Sequence, residues 1–454
     1  MKEILEKQRH FFNSNQTKSI SFRIEQLQKL KTLLISNQNL LDKAIYADFK
    51  KSPFETFTNE FGLVYLDIDE ACKKLKSWSK RKRVGTNWVN FPAKSYIIPE
   101  PLGVSLIIGA WNYPYQLSFA PAIAAIAAGN TVILKPSELP SNTSKLMAEL
   151  INTHFDAAFF HVVEGGIDET TALLEQRFDK IFFTGSPTVG RVVYQAAAKH
   201  LTPVTLELGG KSPAIFTEGA NLKMGIKRLI WAKFLNAGQT CIAPDYILLP
   251  KSLKDEFLRL AKAEIEQAKY SVENGNYVQI INSRNVERLS RLIDPEKIYS
   301  GGKVDETTRF IEPTLMHNVS FDDAIMQEEI FGPILPVLTY DSLNEAILEV
   351  KKREKPLSCY IFTNDSQLKN KLLNELSFGG GAVNEAIMHI ANSRLPFGGV
   401  GNSGTGSYHG EAGFKTFSHY KSILEKGNWF ETKLKYSPYS EGKLNWIKRL
   451  MGIR

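Results

Sequence analysis

The chain has 454 residues, 43% of them hydrophobic, and its 56 Lys and Arg against 48 Asp and Glu leave a net charge of +8. This length allows two or three domains around large cores, and the ordinary composition excludes a disordered or disulfide-stapled chain. The charge is spread along the sequence apart from runs near 73–83 and 443–454, with no basic stripe interleaved with aromatics, so no nucleic-acid partner is expected.

In chain order, the N-terminus MKEILEKQRHFF lacks the apolar core of an export signal. From Ile20 to about Lys82 apolar residues recur at helical spacing, as in Phe61, Val64, Tyr65, Ile68, Cys72 and Leu75. Residues 86–100 break into short β-like runs and predict a hairpin arm outside the pattern that follows. Four strand–helix units come next: 103–109 with 115–128, 131–135 with 141–152, 159–164 with 168–177, and 180–184 with 188–200. The apolar stretch from Leu106 to Leu134 has the length of a membrane span, but Asn112, Pro114, Gln116, Pro121 and Asn130 interrupt it, so it reads as strand, loop, buried helix and strand. Strands near 213–216, 245–250, 334–338, 358–363 and 381–383 form a second alternation. The fold class expected is α/β, with two doubly wound parallel-sheet lobes. The break between them falls at Gly209-Gly210, because the candidate catalytic residues lie on both sides of it and must meet in a cleft. In the tail, Leu444, Trp446, Ile447, Leu450, Met451 and Ile453 fall on one half of a helical wheel, with Asn445, Lys448 and Arg449 on the other. This is a basic amphipathic helix too short to span a bilayer; it packs over the substrate entrance or a partner subunit, or lies on a membrane surface.

Three cysteines, Cys72, Cys241 and Cys359, leave one unpaired and, like the histidines, lack metal-ligand spacing; a reducing cytoplasm and no metal are expected. Cys241 ends the polar run Asn236, Ala237, Gly238, Gln239, Thr240, and Glu207 lies in TLELGGKSP. A thiol on a glycine-containing turn and a carboxylate among glycines suggest a nucleophile and a general base acting at a carbonyl carbon. Read alone, Cys241 suits a small buried hydrophobe better than a nucleophile. Strand IFFTGS runs through Gly185, Ser186 and Pro187 to Gly190 and a helix, where a pyrophosphate or an ordinary turn fits. Lys135 and Glu138 of KPSE suit a ribose or a solvated charge pair, and Asn112 of GAWNYP suits an oxyanion donor or a structural turn amide.

Taken together, GAWNYP, AAGNTVILKPSE, FFTGS, TLELGGKSP, NAGQTC, QEEIFGP and LPFGGVGNSG occur in the order and spacing of the NAD(P)-dependent aldehyde dehydrogenase superfamily, which the whole chain resembles. FGGVGNSGTGSYHG and the short N-terminus resemble its dimeric class 3 branch, which acts on fatty and aromatic aldehydes. The resemblance implies that Cys241 attacks the aldehyde, that Asn112 and the Cys241 N–H hold the oxyanion, and that Glu207 activates water against the thioester. It assigns Trp111, Lys135, Glu138, Gly185, Ser186, Gly190, Leu208, Glu329 and Phe331 to the cofactor. NAD is the expected cofactor, with NADP possible, since Glu138 would repel a 2′-phosphate. Tyr65 and Tyr115 are expected to line the aldehyde channel, with Trp111 and Phe397 as further apolar wall. Pro187 departs from the usual small polar residue, at an early helical position where proline loses no hydrogen bond.

The resemblance also implies an NAD(P)-binding domain over 1–208 with the β arm at 84–100, a catalytic domain over 209–413, and a C-terminal oligomerisation strand and amphipathic tail over 414–454. The hairpin and a segment after about Phe414 are expected to pair across a homodimer interface. A protein that kept the fold without catalysis, or an esterase using the same thiol, are the competing readings.

Overall fold

The computed structural model describes residues 1–453, and the chain forms two compact units, 1–78 with 101–419, and 79–100 with the segment from Tyr420 onward. Helices Lys2–Asn13, Ile20–Ser36, Gln38–Phe49 and Gly62–Trp78 open the larger unit. The 3.6-residue spacing of Val64, Ile68 and Leu75 places them on one fully buried face.

Two sheets follow. The first has six strands in the order Gly404–Thr405, Val204–Glu207, Lys180–Thr184, Val104–Ile108, Thr131–Lys135 and Phe160–Val162. All neighbours are parallel except the first pair. Every residue of the strands at 104–108, 131–135 and 180–184 is buried, as expected for a parallel sheet covered on both faces. Helix Pro114–Ala128 packs between this sheet and the N-terminal helices and buries all but one of its residues, which is why the Leu106–Leu134 stretch is so apolar. The chain runs outward from Val104–Ile108 to Phe160–Val162, then crosses to the other side with Lys180–Thr184. The strand order therefore reverses between Val104–Ile108 and Lys180–Thr184, and such a switch point opens a crevice at the carboxyl ends of the strands.

The second sheet has seven strands in the order Ile298–Ser300, Thr314–Met316, Ile334–Tyr340, Tyr246–Pro250, Pro213–Phe216, Ser358–Phe362 and Gly380–Val383. The first two, three residues each, are too short for the sequence pattern to have marked them.

Two expectations are revised. Residues 404–413, counted on sequence with the catalytic half, and 414–416, counted with the C-terminal segment, return to the first sheet. Gly404 and Thr405 pair with Glu207 and Leu206, and helix Gly410–Thr416 packs on Pro114–Ala128. The return covers what would otherwise be an open strand edge. Pairing of the hairpin with the C-terminal strand also occurs within one chain: the smaller unit is a three-stranded sheet in the order Lys82–Val84, Ala93–Pro101, Ser418–Lys426. After it comes helix Glu441–Leu450, capped by Ser440 and without a buried residue. Among the described residues no helix is long and apolar enough to cross a membrane.

The return strand rests on Gly404, which has φ +153 and where a Cβ would lie 2.4 Å from the Leu206 carbonyl oxygen. Backbone leaves no room to give, so Gly404→Ala is expected to cost about 1–3 kcal/mol. The urea midpoint measures this, and an unchanged midpoint would contradict the pairing.

Candidate active site

Loops at the carboxyl ends of the first sheet's strands meet loops from the second half in a cleft of about 730 Å³. Trp111, Asn112, Gly185, Ser186, Glu207, Leu208, Cys241, Glu329 and Phe331 all line it.

Cys241 is half-buried and is delivered by an unusual loop. Asn236, Ala237 and Gly238 have φ of 53, 52 and 71, three successive left-handed residues. At Gly238 a side chain would meet the Gly332 carbonyl oxygen at 2.3 Å. The polar run is buried, and its side-chain amide N–H groups are engaged, while Asn236 Oδ1 has no partner. Asn236 Nδ2 donates to the carbonyl oxygens of Asn112 (3.0 Å) and Gln239 (3.1 Å), while Gln239 Nε2 donates to those of Asn236 (3.1 Å) and Gln279 (3.2 Å). Tyr113 and Thr240 share a hydroxyl hydrogen bond of 2.7 Å.

Asn112 is 3% exposed, and its Nδ2 donates to the Gln239 carbonyl at 3.0 Å. An amide nitrogen has two N–H groups; this bond occupies one and leaves the second for a ligand in the cleft. Behind Asn112 lies an ion pair with no exposed side-chain surface. Lys51 Nζ donates to Glu60 Oε1 at 2.8 Å and to the Asn112 carbonyl at 3.2 Å, and it sits 4.2 Å from the centre of the Tyr113 ring. The other Glu60 oxygen accepts the N–H groups of Tyr115 (2.8 Å) and Gln116 (3.3 Å), capping helix Pro114–Ala128. Glu55 Oε1 accepts the Asn236 N–H at 3.2 Å.

Glu207 ends its strand, is 2% exposed, and has no hydrogen-bond partner at either carboxyl oxygen. Burial pushes its pKa well above the carboxylate range. Burial, aided by Glu329 and then Glu207, pushes the Cys241 thiol up to about 12. Glu329 is raised to about 8 by burial and the Asp245 charge, against the Gly210 N–H, Lys211 and Arg288. Phe331, in a left-handed conformation at φ 50, stands edge-on to Trp111 with ring centres 5.3 Å apart.

These residues fit a dinucleotide. The first turn of helix Pro187–Ala198 lines the cleft beside Gly185, presenting the positive end of a helix dipole, and Ser186 caps it. Gly209 is a cradle, since a Cβ there would lie 2.0 Å from Glu329 Oε2. Gly190 does not reach the cleft; its missing side chain lets the helix approach Leu208, 2.9 Å from where a Cβ would stand. Lys135 and Glu138 also lie outside the lining, at the end of the neighbouring strand. Lys135 is 2% exposed and donates to the Pro136 carbonyl at 2.9 Å and to Glu138 at 3.4 Å.

The channel assignment of the two tyrosines is corrected. Tyr115 is fully buried, donates its hydroxyl to the Leu41 carbonyl at 2.8 Å and packs on Phe61, which makes it core. Tyr65 spends its hydroxyl on Gln38 at 2.8 Å and does not line the cleft. Tyr113, beside Asn112, is the tyrosine that contacts the nucleophile loop. Phe397 is buried and bridges to Tyr408, also outside the lining.

A thiol, an amide donor and a carboxyl at a dinucleotide-sized cleft define a nucleophilic oxidoreductase of carbonyl compounds. Residues 1–423 match the aldehyde dehydrogenase family. The chain is 50% identical to the 4,4'-diaponeurosporen-aldehyde dehydrogenase of Staphylococcus aureus, covering 96% of each chain. It is 44% identical to aldehyde dehydrogenase family 3 member A2 of Pongo abelii, covering 97% of this chain and 92% of that one. The solved substrate-bound state of Staphylococcus aureus AldH superposes with a TM-score of 0.97 at 48% identity, covering 99% of both chains. The chain belongs to the aldehyde dehydrogenase family, in its class 3-like branch, and is an NAD(P)-dependent enzyme.

Lys51, Glu55 and Glu60 were not singled out on sequence, and Asn236 was named only as part of the run before Cys241. The one local signal is the π-helical turn Phe57–Phe61 that carries Glu60, and a π turn cannot be read from periodicity. Lys51→Met is expected to cost about 3–5 kcal/mol by leaving Glu60 buried and unpaired. In the protein that remains folded, kcat should fall by up to about 100-fold through misplacement of Asn112. Unfolding curves and kcat measured per folded active site test both effects; an unchanged kcat would restrict the pair to stability.

Proposed function

We propose that the enzyme oxidises a hydrophobic aldehyde, aliphatic of medium or long chain or aromatic, to its carboxylic acid through covalent intermediates on Cys241. The observation that carries this reading is that Cys241, Asn112 and Glu207 line one cleft whose other walls include the apolar side chains of Trp111, Leu117, Met326 and Phe331. The Cys241 sulfur attacks the aldehyde carbon, and the oxygen gains a proton-poor, negative character that the free Asn112 N–H and the Cys241 backbone N–H stabilise. Bound NAD or NADP supplies the acceptor for the hydride that this carbon gives up. Trp111, Glu329, Phe331, Leu208, Gly185 and Ser186 would hold it from the cleft wall, with Lys135 and Glu138 at the adenosine end and Gly190 acting through the close approach of its helix to Leu208. Water then attacks the Cys241 thioester, Glu207 takes its proton, and the thiolate leaves as the acid departs.

Burial without a hydrogen-bond partner disfavours the charged form of Glu207, so its work as a base calls for contact with water in the cleft. The Glu138 carboxylate, half-exposed beside Lys135, favours NAD by repelling a 2′-phosphate. Residues 1–208, joined by the returning strand Gly404–Thr405, make the cofactor-binding domain and 209–413 otherwise the catalytic one, both lending residues to the cleft, and the smaller unit's sheet serves assembly into a homodimer in the cytoplasm.

Cys241→Ala should abolish aldehyde oxidation while leaving NAD binding nearly intact; undiminished turnover would reject the nucleophile. Glu207→Gln should slow hydrolysis by about 10²- to 10⁴-fold. Rapid mixing with NAD and an aliphatic aldehyde should then give a burst of NADH near one per site and an acylated protein mass, whereas turnover at the parent rate would reject the base. NADH absorbance during turnover separates oxidation from plain esterase chemistry. Because burial, Glu329 and Glu207 push the Cys241 thiol up to about 12, the rate of NADH formation should rise with pH from about 6 to 9 as the thiolate fraction grows. A rate falling over that window would contradict the assignment.

A further inference from the structure

The folded chain separates charge in a way that the linear sequence hides. Of its 56 basic and 48 acidic residues, 13 and 4 fall in the smaller unit, residues 79–100 and 420–454. That unit therefore carries +9, and the much larger remainder −1, of a total of +8. The acids it does contain are partly neutralised locally, Glu100 by Lys421 and Glu431 by Lys426 and Lys435. Lys448 and Arg449 have no carboxylate partner among the described residues.

The same unit exposes large apolar side chains. On helix Glu441–Leu450, which buries nothing, Trp446 is 59% exposed and Leu444 50%, with Met451 beyond its end at 62%. Trp429 and Tyr439, nearer the sheet, are 73% and 82% exposed. Basic residues interleaved with exposed aromatic and aliphatic ones, around a short amphipathic helix, match the chemistry of a bilayer interface. There the rings and methyl groups enter the headgroup boundary while Lys and Arg meet anionic phosphates. Nucleic acid would satisfy the charge but leave the aliphatic face in water.

We infer that the C-terminal helix of the smaller unit, Glu441–Leu450, is a peripheral docking surface for an anionic lipid bilayer, beside the sheet that serves the dimer. It has two determinants, the charge of Lys448, Arg449 and their basic neighbours, and the apolar face carrying Trp446 and Leu450. The inference does not depend on the substrate or mechanism proposed above.

Flotation of the full chain with vesicles of phosphatidylcholine, alone or mixed with phosphatidylglycerol, tests it. Binding is expected to the mixed vesicles, not to neutral ones, and should be lost as salt approaches about 1 M, where the screening length falls to about 3 Å. Each basic residue at the surface is worth roughly a fivefold factor in partitioning, so Lys448→Ser with Arg449→Ser should weaken binding about 20-fold or more. Trp446→Ser with Leu450→Ser should abolish it, and both double variants should oxidise a soluble aldehyde at the parent rate, which shows that they fold. Equal binding to neutral vesicles, or none to either, overturns the proposal. Salt-sensitive binding that survives loss of Trp446 and Leu450 would reduce it to attraction of any polyanion. A smaller assembly in size-exclusion chromatography of that variant, with vesicle binding unchanged, would assign the face to a second copy.

Discussion

The carbonyl oxygen of Asn112 is where the catalytic geometry is fixed. It accepts Lys51 from the loop after helix Gln38–Phe49 and Asn236 from the nucleophile loop, so one atom ties three stretches of chain far apart in sequence. The Asn112 side chain reaches back to the same loop through Gln239. An oxyanion donor is useful only if its position relative to the sulfur is set before charge develops, and these bonds set it. The Lys51–Glu60 pair is a costly way to do so, since removing two charges from water offsets much of their attraction. Its value lies in direction: an ammonium with three donors and a carboxylate with two acceptors can hold the Asn112 carbonyl and cap helix Pro114–Ala128 at once.

The loop held in this way is strained. Asn236 and Ala237 are left-handed without being glycine, each at a cost of order 1–3 kcal/mol. Regular structure would not turn the chain sharply enough to aim Cys241 into the cleft. The buried amides of Asn236 and Gln239 offset the strain because every bond they make replaces one that water can no longer offer. Phe331, left-handed at φ 50, faces the cleft from the other side, so strained backbone borders the site on both walls.

Much of the fold was legible because its strands are buried on both faces. Continuous apolar runs such as Val104–Ile108 and Thr131–Lys135 alternate with helical spacing, and that pattern admits few architectures besides a doubly wound sheet. Cys241, Glu207 and Asn112 were legible through the motifs around them. Lys51 and Glu60 were not, since a buried ion pair is set by tertiary partners and a lysine nine residues before a glutamate resembles any surface pair. Tyr115 failed differently: an aromatic near the nucleophile's neighbours suggests a channel wall, but helix geometry turns it away from Asn112 into the core, and Tyr113 takes the place beside the loop. The short strands Ile298–Ser300 and Gly404–Thr405 carry too few residues for a period to be read.

Glu207 shows how the scaffold accommodates chemistry that disfavours folding. A buried carboxyl with neither oxygen satisfied costs stability, and nothing near it reduces that cost. Its backbone, by contrast, is overdetermined. Glu207 pairs in parallel with Thr184 on one side and antiparallel with Gly404 on the other, and its carbonyl accepts the Gly185 N–H at 3.0 Å. Those ladder bonds keep the unsatisfied side chain in place where it would otherwise reach water by fraying the strand end. The late return of Gly404–Thr405 to the first sheet is therefore more than edge protection, because it clamps the strand that ends in the base. The same strand leads through Leu208 and Gly209 to Glu329, so the position of the base and the space for the cofactor are set by one short piece of backbone.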